Sequence, residues 1–288
     1  MHGMSRPIHQ SGEVQLFRTN HWRAVLIGLV CLTALVVVFS FPAIPQDPAY
    51  HDFADKRKLF GIPNFWNVIS NAAFAFVGFF GLLKYAGNRL PGMGLAYLVF
   101  CLGVVLVGAG SAYYHLDPTP QSLVWDRLPM TLAFMAIFSM VVSDRVSEKF
   151  GARLLWPLIL AGITSVTYWY WTETRGAGDL RPYVLVQFLP MLIIPILLML
   201  YTENRMITLY LWATLLSYGF AKAAEYFDAG IFEWMGFWSG HTIKHLLSAQ
   251  SDLCKAVIGS LHCAGVEIVS PSFMNQRPLP KGTKIIPN

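Results

Sequence analysis

The chain has 288 residues, of which 55% are hydrophobic and only 13% are charged. Soluble domains carry about a quarter charged residues, so this composition excludes an ordinary soluble protein and indicates an integral membrane protein. The formal net charge of +5 does not predict a nucleic-acid partner, because an excess of Lys and Arg in a membrane chain normally reflects the orientation of its loops.

Apolar runs long enough to cross a bilayer, about 17 to 25 residues, recur along the chain. They predict eight transmembrane helices in a single membrane domain, because little of the chain lies outside them. The first run is predicted to be an uncleaved helix, since no small-residue cleavage site follows it. The predicted spans are 24–43, 66–86, 93–115, 122–143, 153–171, 181–202, 206–226 and 236–262.

The distribution of Lys and Arg predicts the orientation of these helices. If the N-terminus is cytoplasmic, thirteen Lys and Arg residues fall in cytoplasmic loops or tails and five fall in the opposite loops. We therefore expect both termini to be cytoplasmic. The four cysteines are scattered and form no C-x-x-C pair, so neither a disulfide framework nor a cysteine metal site is expected.

Polar side chains at the ends of three predicted helices indicate a functional site, because ionisable groups are costly in a bilayer. Ser111 and His115 end the third helix, and Asp126 lies near the start of the fourth. His241 and His245 lie near the start of the eighth. Each i, i+4 pair shares one helix face. With the orientation above, all five side chains lie at one depth on the extracytoplasmic side and can enclose one site.

Three neutral imidazoles are a familiar zinc ligand set that leaves a fourth position for water, which suits a hydrolase. One membrane histidine or one H-x-x-x-H motif more often serves helix packing, so the metal hypothesis depends on both pairs occurring together with Asp126. Bis-histidine haem ligation is less favoured, because His241 and His245 share a helix and cannot lie on opposite sides of one iron. His115 could pair with one of them, but the other histidine would then be unexplained. Other histidines, such as His51, fall in predicted tails or loops and are expected to be solvated.

Four charged residues near the histidine pair allow two interpretations each. Glu225 and Asp228 lie at the end of the seventh predicted helix, and they either orient an imidazole N–H of the metal site or are ordinary loop residues. Asp252 and Lys255 interrupt the last apolar run. As an i, i+3 pair they either contact each other on one helix face, or the helix leaves the membrane early.

The combined motifs resemble the alkaline ceramidase family and the wider group of seven-helix membrane hydrolases that includes the progestin and adiponectin receptors. The shared pattern is S-x-x-x-H at the end of one helix, an aspartate opening the next, and H-x-x-x-H in the last. The segment NFWNVISNAAF, residues 64–74, is similar to the opening of the first core helix of alkaline ceramidases and favours that branch. The resemblance covers roughly residues 50–250.

The resemblance and the apolar runs together predict a fold and a domain organisation. The resemblance implies an all-α integral membrane protein with a seven-helix transmembrane core, and the apolar run at 24–43 departs from the family as one additional transmembrane helix at the N-terminal side. The implied division is a cytoplasmic tail at 1–23, the additional helix at 24–43, the ceramidase-like membrane domain at 50–262 and a C-terminal tail at 263–288.

The resemblance also implies a reaction, which is zinc-dependent hydrolysis of the amide bond of ceramide-like N-acyl sphingoid lipids to a fatty acid and a sphingoid base. His115, His241 and His245 would bind Zn²⁺. Asp126 and Ser111 would contact the reacting water and the substrate carbonyl, at the extracytoplasmic leaflet. A different acyl lipid stays open as the substrate. A receptor or transporter with a structural metal also stays open, although the sequence shows no internal repeat typical of a transporter.

The family places a calcium-binding acidic segment before its first core helix, and here the match is incomplete. Asp52 and Asp55 resemble two of the acidic positions, whereas Asn64 stands where a glutamate is expected. The run at 56–58 adds three positive charges. Because Ca²⁺ takes about six to eight oxygen ligands and this segment offers few, a calcium site and a solvated loop both stay open.

Overall fold

A computed structural model of the protein describes residues 21–86, 93–201 and 205–263. Apart from one isolated β-bridge, the regular structure of these ranges is helical, which confirms the all-α prediction. A short 3-10 helix, Pro48–His51, precedes the core. The α-helices are α1 (His21–Ser40), α2 (Phe65–Ile69), α3 (Ala72–Ala86), α4 (Gly94–Leu116), α5 (Pro120–Arg145), α6 (Glu148–Glu173), α7 (Arg181–Leu200), α8 (Arg205–Tyr226), α9 (Asp228–Met235) and α10 (Gly240–Cys263).

Six segments of the described chain are long and apolar enough to cross a membrane, as expected of a multi-pass membrane protein. They are α1, the combined α2 and α3, and α4 to α7. The last two predicted spans are helical, as α8 and α10, but they are not among these six. Both helices carry charged side chains, such as Lys222 and Lys244, which lower their hydropathy. The count of seven core spans and one additional N-terminal span stays a prediction. The predicted tails lie largely outside the described residues.

The first core span is interrupted, whereas the sequence predicted one continuous helix at 66–86. The break falls at Ser70 and Asn71, between α2 and α3. Asn71 donates a side-chain hydrogen bond to the carbonyl of Asn67 at 2.6 Å, and Ser70 donates to the same carbonyl at 3.2 Å. Such local side-chain bonds compete with the helical pattern of the backbone, and they explain the interruption.

Neighbouring helices along the chain pack against each other from α3 to α7, and α10 closes the bundle. Helix α10 packs against α8 and also reaches back to α3 and α4. The last helix therefore lies beside the first core helices, which brings the start of α10 to the end of α4. Helix α1 packs against α7, and none of its residues is buried. Its exposed apolar surface suits contact with lipid.

Two glycines allow the close helix contacts that build the site end of the bundle. At Gly110 in α4, a Cβ atom would collide with the backbone carbonyl of Trp125 in α5. At Gly240, the first residue of α10, a Cβ atom would collide with the carbonyl of Ala224 in α8. The residues next to these contacts include Ser111, Asp126 and His241, so the glycines set the distances between their helices.

Residues 41–63, which we call the cover segment, fold over this end of the bundle. Leu180 donates a backbone hydrogen bond to Ile44 at 2.8 Å, and the backbone N–H of Ala54 donates to the Asp228 carboxylate at 2.9 Å. The Arg57 guanidinium bonds the Asp55 carboxylate and the carbonyl oxygens of Gly236 and Phe237. The cover segment is thus attached both to α7 and to the chain just before α10.

Candidate metal centre

The three predicted histidine ligands meet at one buried point between α4 and α10. His115, His241 and His245 are exposed by only 1%, 5% and 2%. Their ring centroids lie 4.8 to 5.0 Å apart. One nitrogen from each ring lies within 4.8 Å of the other two. Among the described residues, this is the group of His, Cys, Asp and Glu side chains that could hold a metal ion.

The spacing of these nitrogens suits a small tetrahedral ion. The Nε2 atoms of His115 and His241 lie 3.3 Å apart. Zinc binds histidine nitrogen at about 2.0–2.1 Å, which places two ligand atoms of a tetrahedron about 3.3 Å apart. The three imidazoles are buried, and two of their ring nitrogens face each other. This arrangement is therefore compatible with Zn²⁺ bound between them.

A hydrogen bond with Ser70, which directly follows α2, orients the third imidazole. The Ser70 Oγ atom lies 2.7 Å from His245 Nδ1 and donates its own hydrogen to the Asn67 carbonyl at 3.2 Å. Because that hydrogen is used, Oγ accepts from the Nδ1–H of His245. The protonated Nδ1 leaves the Nε2 lone pair free for a metal, which is the usual arrangement around ligating histidines. Ser70 was not predicted as a site residue.

Asp228 and Asn67 hold the start of α10 in place. The Asp228 carboxylate accepts the backbone N–H of His241 at 2.6 Å, as well as the Ala54 N–H described above. Asn67 is fully buried, and its side-chain oxygen accepts the Thr242 hydroxyl at 2.8 Å. Asp228 therefore contacts the backbone of a histidine rather than an imidazole N–H, so its role is to position the helix that carries two of the three histidines.

Phe53 of the cover segment lies over the histidine cluster, with its ring centroid 4.6 Å from those of His115 and His241. Next to it, His51 is partly buried and bonds the Tyr114 hydroxyl at 2.9 Å. The expectation that His51 is solvated was therefore wrong, because the cover segment packs onto the bundle. Burial and the positive charge of Arg127 lower the pKa of His51 below its ordinary value.

Ser111 and Asp126 are brought together as predicted. The two residues face each other across the contact between α4 and α5, and Ser111 interacts with the Asp126 carboxyl group. Both are buried. They line the same cavity as His245, so a carboxyl group lies at the open side of the histidine cluster.

Two lysines that the sequence analysis did not single out pair with Glu225 near the histidines. The Glu225 carboxylate accepts Lys222 and Lys244, each at 2.7 Å. The Lys244 ammonium also lies 3.4 Å from His241 Nε2. Glu225 thus binds two lysines and no imidazole. The sequence contained a signal for these lysines. Both lie within predicted spans, where ionisable residues indicate function.

The residues of the expected calcium segment do not gather around one point. Asp52 pairs with Lys56, and Asp55 pairs with Arg57 at 2.7 Å. Asn64 donates its side-chain N–H to the backbone carbonyl of His115 at 2.8 Å. Within the described ranges, the carboxylates of this segment are bound by basic side chains of the same segment, and the amide group of Asn64 supports α4.

A cavity of about 360 Å³ extends from the site into the bundle. Its wall beside the histidines is polar, and much of the remainder is apolar, with side chains such as Phe74, Phe100 and Phe134. Asp252 and Lys255 also line it and pair at 2.8 Å. This contact confirms the pairing alternative for the two residues, and α10 continues past them to Cys263. The cavity offers an apolar chain a place next to the histidine cluster.

The fold and the site define a multi-pass helical membrane protein with a buried three-histidine centre that opens into a largely apolar cavity. A family model described as Ceramidase matches residues 60–236, and the chain belongs to the ceramidase family. Membership implies a hydrolase that acts on amide bonds of a lipid substrate. The matched range includes Ser111, His115 and Asp126 and ends before His241. No curated protein and no solved structure matches the chain.

Proposed function

We propose that this protein is a zinc-dependent intramembrane amidohydrolase that cleaves ceramide-like N-acyl sphingoid lipids to a fatty acid and a sphingoid base. The observation that carries the proposal is the buried cluster of His115, His241 and His245 next to the Ser111–Asp126 pair. Family membership supports the amide bond as the target. The donor set and the nitrogen spacing support zinc as the metal.

The three imidazoles would hold Zn²⁺, which supplies a Lewis acid that acidifies water and polarises a carbonyl group. Asp126 is the group that accepts and donates the proton in the reaction. Its carboxylate takes a proton from the attacking water as the water oxygen bonds to the acyl carbon. It then gives that proton to the nitrogen as the C–N bond breaks, because an amide anion is too poor a leaving group.

Ser111 lies next to the Asp126 carboxyl group and interacts with it. The predicted contact of Ser111 with the substrate carbonyl therefore stays a prediction, and positioning of Asp126 is the role that the observed contact supports.

The cavity supports an acyl-lipid substrate, because an apolar chain can lie along its phenylalanine-rich wall while the amide group lies beside the histidines. Phe53 covers the opposite side and excludes water from the ring cluster. With the orientation that the loop charges favour, the reaction takes place toward the extracytoplasmic side of the membrane.

The test combines metal content with hydrolysis of a fluorescent N-acyl sphingosine by the detergent-purified protein. We expect stoichiometric zinc and turnover in the wild type, loss of both in His241→Ala, and loss of turnover with retained zinc in Asp126→Asn. His21→Ala is the matched control, because His21 is exposed at the start of α1. Zinc without turnover would redirect the assignment to another acyl lipid or to a receptor, and wild type without zinc would overturn it.

A further inference from the structure

We propose that Lys244 is a catalytic residue whose ammonium group stabilises the negative charge that develops on the acyl oxygen and later binds the fatty-acid carboxylate. This inference rests on the proposed function and adds to it an electrophilic group. The Lys244 ammonium lies 3.4 Å from His241 Nε2, the nitrogen that faces His115.

The environment of Lys244 keeps this cation in one place. Its Nζ atom donates to Glu225 Oε1 at 2.7 Å, and the other carboxylate oxygen of Glu225 is used by Lys222. The Lys244 side chain is only 19% exposed. An ammonium group carries three donors. Since one goes to Glu225, the remaining donors face the histidines and the cavity, which Lys244 lines.

A metal ion bound by the histidines would free one hydrogen-bond donor of Lys244. The lone pair of His241 Nε2 would then be taken by the ion, so it could no longer accept a hydrogen from Lys244. That donor is left for an acceptor atom that enters the cavity beside the histidine cluster. In hydrolysis of an amide, the acyl oxygen is the acceptor that gains negative charge, and the carboxylate of the product keeps it.

The charge balance of the cluster also favours an anionic group. Lys222 and Lys244 share one carboxylate, Glu225, so this cluster carries one excess positive charge. Excess charge in a low-dielectric site is costly unless an opposite charge can enter. Lys244 also interacts electrostatically with Asp126, whose carboxylate loses its negative charge when it takes the proton of the attacking water. At that moment the developing oxyanion is the natural partner of the ammonium group.

Ser111 interacts with the Asp126 carboxyl group, which makes it less available for this role. Preorganised donors aimed at a developing oxyanion contribute strongly to rate, and loss of one donor lowers kcat about 10²- to 10³-fold. Lys222 differs from Lys244 in its distance from the site. It pairs with the same carboxylate as Lys244 and lines the same cavity, but the structure shows no hydrogen bond from it to the three histidines.

The experiment measures hydrolysis, zinc content and ligand binding for Lys244→Met, Lys244→Arg and Lys149→Met. For Lys244→Met we expect unchanged zinc, an unchanged KM and a kcat lowered about 10²-fold or more. Lys244→Arg should recover part of this loss, and Lys149→Met, which replaces an exposed lysine of α6, should stay within about threefold of the wild type. If Lys244→Met does not fold, the double variant Glu225→Gln with Lys244→Met takes its place in the measurements, because it removes both charges of the ion pair.

Binding of palmitate and of hexadecanol by the zinc-loaded proteins gives a readout that does not depend on turnover. We expect Lys244→Met to weaken palmitate binding about tenfold and to leave hexadecanol binding unchanged, because only palmitate carries a charge. Equal palmitate affinity in wild type and Lys244→Met would overturn the inference, as would an unchanged kcat. If the wild type fails to hydrolyse the N-acyl sphingosine, the proposed function fails, and the palmitate comparison still decides whether Lys244 binds an acyl anion.

Discussion

The hydroxyl of Ser70 lies 2.7 Å from Nδ1 of His245, and this contact joins the first core helix segment to the last helix. Ser70 directly follows α2, at the interruption before α3, and His245 lies one turn into α10. The contact places the Nδ1 proton and directs Nε2 toward the other two histidines. The local break in the first core span therefore contributes directly to the metal centre.

Loss of this contact should weaken metal binding without removing a ligand. In Ser70→Ala we expect zinc affinity to fall about 10- to 100-fold, the usual effect of removing a group that orients a ligating histidine. Competition with a chromogenic chelator measures the affinity. Ser40→Ala is the control, because Ser40 bonds the carbonyl of Val36 on the exposed helix α1. An affinity equal to that of the wild type would contradict the assigned orientation of His245.

The close approach of α4 and α5 should tolerate no side chain at Gly110. A Cβ atom there would strike the Trp125 carbonyl, and backbone atoms cannot move aside as a flexible side chain can. We expect Gly110→Ala to destabilise the protein by about 1–3 kcal/mol or more and to reduce activity, because Ser111 and Asp126 separate.

Thermal unfolding in detergent tests this prediction, with Gly28→Ala as the control. Gly28 lies in α1, where an added Cβ atom would meet nothing within 4 Å. A Gly110→Ala protein as stable as the Gly28→Ala protein would show that α4 and α5 can shift apart without cost.

Asp228 should act on the histidine cluster through the backbone. Its carboxylate accepts two backbone N–H groups, from His241 and from Ala54. Asp228→Ala leaves both donors without this acceptor, and we expect a loss of about 0.5–2 kcal/mol, as for the removal of a helix-capping side chain. Zinc affinity should fall with it.

The measurement is thermal stability together with zinc affinity, and Glu233→Ala is the matched control. Glu233 is an exposed acidic residue of α9, the helix that begins at Asp228. Unchanged zinc affinity in Asp228→Ala would mean that the rest of α10 holds His241 in place without this contact.

The stability of the protein should depend on the titration of His51. Because burial and the charge of Arg127 lower the pKa of His51 in the folded state, the unfolded chain binds a proton more readily. His51 therefore contributes stability above its unfolded pKa of about 6.5, and that contribution is lost as the pH falls from there toward the lowered folded pKa.

Comparison with His51→Asn isolates this effect from the other histidines. We expect the thermal midpoint of the wild type to fall more steeply than that of the variant between about pH 6.5 and pH 5. Parallel pH profiles of the two proteins would contradict the prediction and would indicate that His51 keeps access to water.

Several site features could not be predicted because they depend on where the cover segment packs. His51 and Phe53 belong to a loop by any local criterion, yet the loop places one against Tyr114 and the other over the histidine rings. Asn64 illustrates the same point, since its side chain contacts the end of α4 rather than a cation. Such contacts join residues distant in the chain, and helix periodicity carries no information about them.

The sequence by itself determined the membrane class, the helical segments and the histidine pairs, because these depend on local quantities. The length of an apolar run indicates whether it can span the bilayer. The i, i+4 spacing places Ser111 with His115, and His241 with His245, on single helix faces. The tertiary structure alone decided that α10 returns to α3 and α4, so that the pairs meet in one centre. It also placed Lys244 against Glu225 and beside His241. Helix packing, set by close contacts such as that at Gly110, brings together charges that the sequence keeps far apart.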